Sequence, residues 1–358
     1  MKRPTSAVNT GSTTGRQRNG KAMENGFENI RNYGFYGWRT ADVRDRYGIT
    51  PRGYYDLLSS LWCADTCAPR MRGDWTEENR TLGQCSVTAF LLQDIYGGKV
   101  YGVPLGDGNF HCFNDVGGCV FDLTSEQFGS TVLSYDNCPE QERGVHFSKE
   151  EKKRRYEKLK TALGAAMPRM IETKRLILRP FFPDDAEDVY GYLRDPGADC
   201  FADMRLSSPE EAWAETERRQ AEKEYCLAIV LKETGRVIGE IFGHPEGMFP
   251  GDQTADTFSP CWMLDPAHGG RGYAFEAARA YFDRLFGEKG IRRIYAYTAD
   301  TNLRSRRLCE RLGMRQEGLF LEHVSFKKGP DGKPAYENTV QYAILKREWE
   351  EKRALPDR

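Results

Sequence analysis

Two stretches of this 358-residue chain combine residue types that do chemistry. The first reads Cys261-Trp262-Met263-Leu264-Asp265-Pro266-Ala267-His268-Gly269-Gly270-Arg271-Gly272-Tyr273-Ala274-Phe275-Glu276. Here a strand ending at Pro266 gives way to three glycines in four residues and then to a helix start. Free N–H groups at a helix start, backed by the helix dipole, favour a phosphate or diphosphate. The glycines remove the Cβ atoms that would block its approach. The pattern lacks the Gly-Lys-Ser/Thr of the nucleotide P-loop, and Arg271 breaks the glycine rhythm of the dinucleotide fingerprint.

The second stretch begins at Gly83-Gln84-Cys85-Ser86-Val87-Thr88-Ala89, a loop entering a helix that stops at Gly97-Gly98. Cys85 then falls in the first helical turn, where the dipole lowers a thiol pKa. Further on, Asn109 to Asn114 and Cys119 to Thr124 flank the turn Asp115-Val116-Gly117-Gly118 and read as a hairpin. Pairing Asn114 with Cys119 sets His111 directly opposite Asp122. A Gly117-Gly118 loop makes the two diagonal neighbours instead. Both registers keep them on one face. Asp122 orienting His111, and His111 activating Cys85, is the logic of cysteine nucleophilic catalysis. Two other readings stand beside it: a buried thiol with a satisfied imidazole, and a zinc site built from Cys63 and Cys67 with Cys112, Cys119 or Cys138.

Around the glycine-rich stretch the elements are legible. Strands are expected at 175–181, 226–231, 237–242, 258–264, 293–299, 318–326 and 337–345. Helices are expected at 183–194, 208–223, 271–287 and 302–312, with Ser208 as an N-cap before Pro209. That is a mixed α/β domain with one strand–loop–helix crossover at its centre. Earlier, 38–58 reads as a helix, a turn and a second helix, a hairpin taken as scaffold rather than a DNA reader. Ser148 to Leu163 reads as an exposed charged helix opened by a Ser148–Glu151 capping box.

The half from Ile171 to Trp349 resembles the GNAT acyl-CoA N-acyltransferases, and within them the RimJ/RimL-like branch. The resemblance rests on Glu172 to Pro180, on Trp262 to Pro266, on the glycine-rich loop, and on Asn302, Ser305, Leu312 and Gly313. It implies that the backbone from Gly269 through Gly270, Arg271, Gly272, Tyr273 and Ala274 holds the diphosphate of acetyl-CoA. It also implies that Met263 and Leu264 pair with the pantetheine arm and that Asn302 touches the cofactor. Gly269 stands where many members carry Gln or Arg, and Cys309 where many carry a proton-donating Tyr. The implied activity is acetyl transfer to a primary amine of a protein or small molecule, without a metal. The amine must first lose a proton. Glu240 is the leading candidate base, taken to share a strand face with Ile238 and Phe242; His244, Asp256 and Glu276 compete.

The segment from Tyr54 to Tyr135 resembles the YunG family, through Gly83 to Ala89, Gln93-Asp94, Gly97-Gly98, His111, Asp122-Leu123-Thr124 and Gln127-Phe128-Gly129. That resemblance implies an α+β papain-like core without fixing a reaction. The fold expected is therefore an α+β papain-like module followed by a mixed α/β GNAT domain. The boundaries are a disordered tail over 1–25, a first domain over 26–147, a charged helical linker over 148–167 and a second domain over 168–353. Two rival functions remain: a cysteine-dependent hydrolase or transferase with a regulatory second half, and a non-catalytic binding protein.

Composition narrows the partners. Lys and Arg number 52 against 53 Asp and Glu, a net charge of −1, so no global field steers the chain to nucleic acid or anionic membrane. No apolar run approaches the roughly 18 residues of a spanning helix, and the first residues lack the apolar core of a signal peptide. The ten cysteines are unevenly spaced, which suits the reducing cytoplasm expected for this chain.

Overall fold

The computed structural model describes residues 32–106, 108–247 and 255–354, so the tail expected over 1–25 lies outside the described residues. In the first half, helix α1 (Pro51–Ser59) and helix α2 (Cys85–Tyr96) pack on a three-stranded antiparallel sheet of β1 (Lys99–Pro104), β2 (Phe110–Val116) and β3 (Cys119–Phe121). Of the two helices expected over 38–58, only the second forms. Residues 38–48 are turns, with Asp45 Oδ1 accepting from the amides of Tyr47 and Ile49.

Helix α3 (Arg143–Phe147) leads into α4 (Glu150–Ala166), which departs from the exposed connector expected there. Its Tyr156, Leu159 and Leu163 are buried in the first core, and Arg155 donates to the carbonyl of Thr66. Such burial contributes about 1.5–3 kcal/mol per large apolar side chain. The helix therefore belongs to the first domain. Its charge count hid a four-residue apolar spacing. The capping box is absent too: Lys149 is the N-cap, and Ser148 Oγ donates to the Val145 carbonyl.

The second half is an eight-stranded sheet in the order β10-β11-β9-β8-β7-β6-β5-β4. Its strands are β4 (Ile171–Glu172), β5 (Leu176–Arg179), β6 (Leu227–Leu231), β7 (Arg236–Glu246), β8 (Thr257–Leu264), β9 (Arg293–Ala299), β10 (Arg315–Lys328) and β11 (Pro334–Leu345). Helices α5 (Ala186–Leu193) and α6 (Pro209–Ala221) cover one face. Helix α7 (Tyr273–Gly287) and helix α8 (Leu303–Arg311) cover the other, and α9 (Lys346–Ala354) closes the chain with Trp349 against α7. As expected, Ser208 Oγ accepts from the Glu211 amide to start α6.

The two halves meet at a buried ion pair. Arg179, wholly buried, donates to both carboxylate oxygens of Asp185 at 2.7 and 2.9 Å. The same guanidinium reaches the first domain through Nε to the Tyr47 carbonyl at 2.8 Å. In return, Thr50 and Arg52 of the first domain bind Asp184, and Phe182 sits inside the first core. Removing one partner of a buried pair strands the other charge. Asp185→Ala is expected to cost about 3–5 kcal/mol, read as a lower urea midpoint by circular dichroism. An unchanged midpoint would deny this pair its place at the junction.

Candidate functional site

Between β8 and β9 the sheet changes character. This is its only parallel pair among the described residues, and it holds only at Thr257–Arg293 and Phe258–Ile294. Beyond that point the strands part, while β8 stays paired with β7 on its other side as far as Leu264. Met263 and Leu264 therefore present a backbone edge to the resulting wedge. A strand edge in that state is ready to pair with an extended, amide-bearing ligand.

At the open end of the wedge the chain curls through a single turn at Pro266–His268 and then into α7. Gly272 is the N-cap at φ +79°, and no side chain caps the helix start. A Cβ on Gly270 would meet nothing within 4 Å, and one on Gly272 would meet only Arg175 Nη2 at 3.6 Å. The cradle is open, and its backbone lies in a left-handed conformation that side chains resist. Of the residues expected here, Gly269 differs: its amide donates to the Pro266 carbonyl at 3.1 Å and is not free.

Beside the cradle lies a cleft of about 470 Å³ whose walls include Arg175, Arg271, Arg279, Arg311 and Arg353. Arg175 is fixed by Glu276, which accepts from its amide and its Nε at 2.7 Å each and from Thr173 Oγ1 at 2.6 Å. Glu276 is thus a tether between the β4–β5 turn and α7 rather than a free base. Across the wedge, Asn302 caps α8, its Oδ1 accepting from the Ser305 amide at 3.1 Å. Cys309 is fully buried, and burial pushes its thiol up to about 12.

A smaller pocket of about 70 Å³ opens on the α6 side, lined among others by Arg219, Glu222, Glu240, Phe242 and His244. Glu240 sits opposite Met263 across β7 and β8. Its strand face differs from the one expected. Ile229 pairs with Gly239 but Val230 with Val237, so Ile238 is an extra residue, and the bulge resets the alternation. Ile238 packs under α7, whereas Phe242 lies on the α5 and α6 side. Gly239 takes φ +155° there, and a Cβ on it would stand 2.2 Å from the Met263 carbonyl oxygen.

Glu240 is wholly buried and gives both oxygens to Arg219, one of them to Nη2 at 2.8 Å. Arg219 escaped the sequence reading because nothing but the fold tells which arginine of α6 turns inward. His244 stays exposed, its Nε2 3.9 Å from Glu222. Asp256 lies at the closed end of the wedge, paired with Arg292 at 2.8 Å.

In the first domain the hairpin adopts the Gly117-Gly118 loop, with Asn114 opposite Phe121. His111 and Asp122 are therefore diagonal, yet His111 Nε2 lies 2.5 Å from Asp122 Oδ2 and each is 1% exposed. Tyr135 donates to the same oxygen at 2.9 Å, and the amide and hydroxyl of Thr124 donate to Oδ1 at 3.0 Å each. Phe128 meets the imidazole edge-on at 4.7 Å, and Gln127 Nε2 stands 3.3 Å from Nδ1. Tyr135 had no sequence signal, since it arrives from a loop beyond the hairpin.

Cys85 opens α2 as expected and remains half-exposed. Hydrogen bonds from the Cys112 thiol and from His111 outweigh burial and hold the Cys85 thiol well below its ordinary value. Burial pulls His111 down, but Asp122 and Cys85 overcome it and raise the imidazole to about 10. Both shifts favour the charged forms, thiolate on Cys85 and imidazolium on His111. Among the described residues, no group of three or more His, Cys, Asp or Glu is placed to hold a metal ion, and no helix is long and apolar enough to cross a membrane.

Two family models match the chain: YunG protein over residues 50–168, and the acetyltransferase (GNAT) domain over residues 175–315. The uncharacterized N-acetyltransferase YnaD of Bacillus subtilis (strain 168) is 29% identical over 179 residues, covering 50% of this chain and 98% of YnaD. The uncharacterized protein YunG of the same strain is 42% identical over 65 residues, 18% of this chain and 55% of YunG. The chain thus spans about half the length of that relative. A solved GNAT-family acetyltransferase from Bacillus anthracis is 26% identical, covers 50% of this chain and 100% of its own, and superposes with a TM-score of 0.43. This chain joins a YunG domain to an acetyltransferase domain of the GNAT family.

Proposed function

We propose that the GNAT domain transfers an acetyl group from acetyl-CoA to a primary amine of a protein or small molecule, by direct attack. The observation that carries this reading is the parting of β8 from β9 beside an uncapped, glycine-lined helix start. Acetyl-CoA supplies an activated thioester, an adenosine diphosphate and two amides in a flexible arm. The chain's own groups fit those parts. Amides from Gly270 to Ala274 meet the diphosphate, the arginine-rich cleft meets the remaining phosphate, and the Met263–Leu264 edge meets the arm.

The acceptor enters from the α6-side pocket of about 70 Å³. We assign Glu240 as the fixed anion that holds Arg219 in the pocket wall, because both of its oxygens are engaged. His244 is the exposed base of the same pocket and takes the amine proton. Cys309 packs the core and does not protonate the leaving thiolate.

Three outcomes follow from this assignment. Gly272→Glu, which puts bulk and negative charge in the cradle, should abolish acetyl-CoA binding in calorimetry. Gly272→Ala, which carries only the backbone strain, should retain part of it; equal affinity for all three proteins sinks the cradle. His244→Ala should lower kcat by about 10²-fold or more while leaving KM for acetyl-CoA near its starting value, and a full kcat would return the proton to another group. A mass-spectrometric screen of amines with purified protein and acetyl-CoA, run beside Gly272→Glu, should find acetylated products only with the unmodified cradle.

A further inference from the structure

We infer that the YunG domain is a second catalytic centre, in which Cys85 attacks the carbonyl carbon of an acyl ester, thioester or amide, with His111 carrying the proton and Asp122 anchoring the imidazole. This goes beyond the acetyltransferase reading and does not rest on it. The three residues come from separate elements, the start of α2, strand β2 and the residue after β3, and the fold brings them to one point.

Burying an imidazole beside a carboxylate is costly unless their hydrogen bonds are met. Here they are met on every side described above, so Asp122 cannot swing away and Nε2 is occupied. Nδ1 faces Gln127 Nε2 at 3.3 Å, and the imidazole also hydrogen-bonds the Cys85 thiol. Cys85 is the one residue of the three that is not fully buried. The first-turn amides of α2 lie at its own end of the helix, and Gln84 offers no side-chain cap to them. Such donors suit an oxygen that gains charge during attack. Gln84 is itself buried with Oε1 unpartnered, an acceptor left over for an N–H or O–H of the ligand.

The chemistry balances without a further reagent. The Cys85 sulfur forms a bond to the carbonyl carbon, and the bond to the departing alcohol, thiol or amine breaks. That group leaves with the Nδ1 proton of His111. Water then gives its proton to the neutral imidazole and its hydroxyl to the thioester carbon. The carboxylic acid departs, and thiolate and imidazolium are restored.

The test uses the full chain and p-nitrophenyl acetate as the acyl donor. The expected result is a burst of p-nitrophenolate with one acetyl per chain, mapped by peptide mass to Cys85 ahead of the half-buried Cys63 and Cys119. The burst rate should persist further into acid than that of an ordinary thiol and change near pH 10, where His111 loses its proton. His111→Gln should slow it by about 10²-fold or more, and Tyr135→Phe, which keeps the ring in place, by less. Label spread evenly over the thiols of the wild-type chain would overturn the inference, whether or not the variants fold. So would an unchanged burst in a His111→Gln protein whose circular dichroism matches the wild type.

Discussion

A parallel strand pair that stops pairing after two residues governs the C-terminal half. Inside a sheet, backbone N–H and C=O groups normally find partners, and leaving them without any costs about 1–3 kcal/mol each when buried. The edge of β8 beyond Phe258 is in that state toward β9, and the start of α7 adds further amides without a capping side chain. Both deficits lie along one line, the edge first and the helix start after it. A ligand with amides in an extended arm and a diphosphate at one end is the chemistry that satisfies both. Other features serve that geometry: the Ile238 bulge lets β7 follow β8 while turning Glu240 toward α6, and the Glu276 tether keeps Arg175 beside the cradle.

The N-terminal site obeys the opposite economy. Nothing is left open around Asp122, whose two oxygens take four hydrogen-bonding partners. The saturation fixes one ring orientation, and the charge it buries is balanced by a proton that the imidazole holds to about pH 10. Cys85 next to it is partly exposed, whereas His111 and Asp122 are buried. One half of the chain thus leaves backbone unpaired along an open wedge, and the other saturates a buried carboxylate beside a cysteine.

Much of this was legible in the sequence, for reasons that differ by residue. The strand at Arg293–Ala299 and the Ser208 cap follow from local pattern alone, and they appear where expected. The His111–Asp122 contact was readable because both hairpin registers keep the two on one face, so the choice of loop did not matter. That Glu240 shares a face with Phe242 was readable from alternation, but its partner was not, since Arg219 is one of several charged residues on α6. The bulge at Ile238 also escaped: strict alternation assigns it to Glu240's face, and only the pairing on both sides shows the inserted residue. The charged helix over 150–166 misled because its three large apolar side chains are outnumbered, although burial follows their spacing rather than the charge count.

Arg179 has a consequence for the whole chain. Its guanidinium closes a carboxylate on its own domain and a carbonyl on the other, so neither half can loosen its grip on the seam without disturbing a charge with nowhere to go. Proteolytic survival, turnover and abundance of the two modules are thereby tied together, and a mutation that melts either one endangers both.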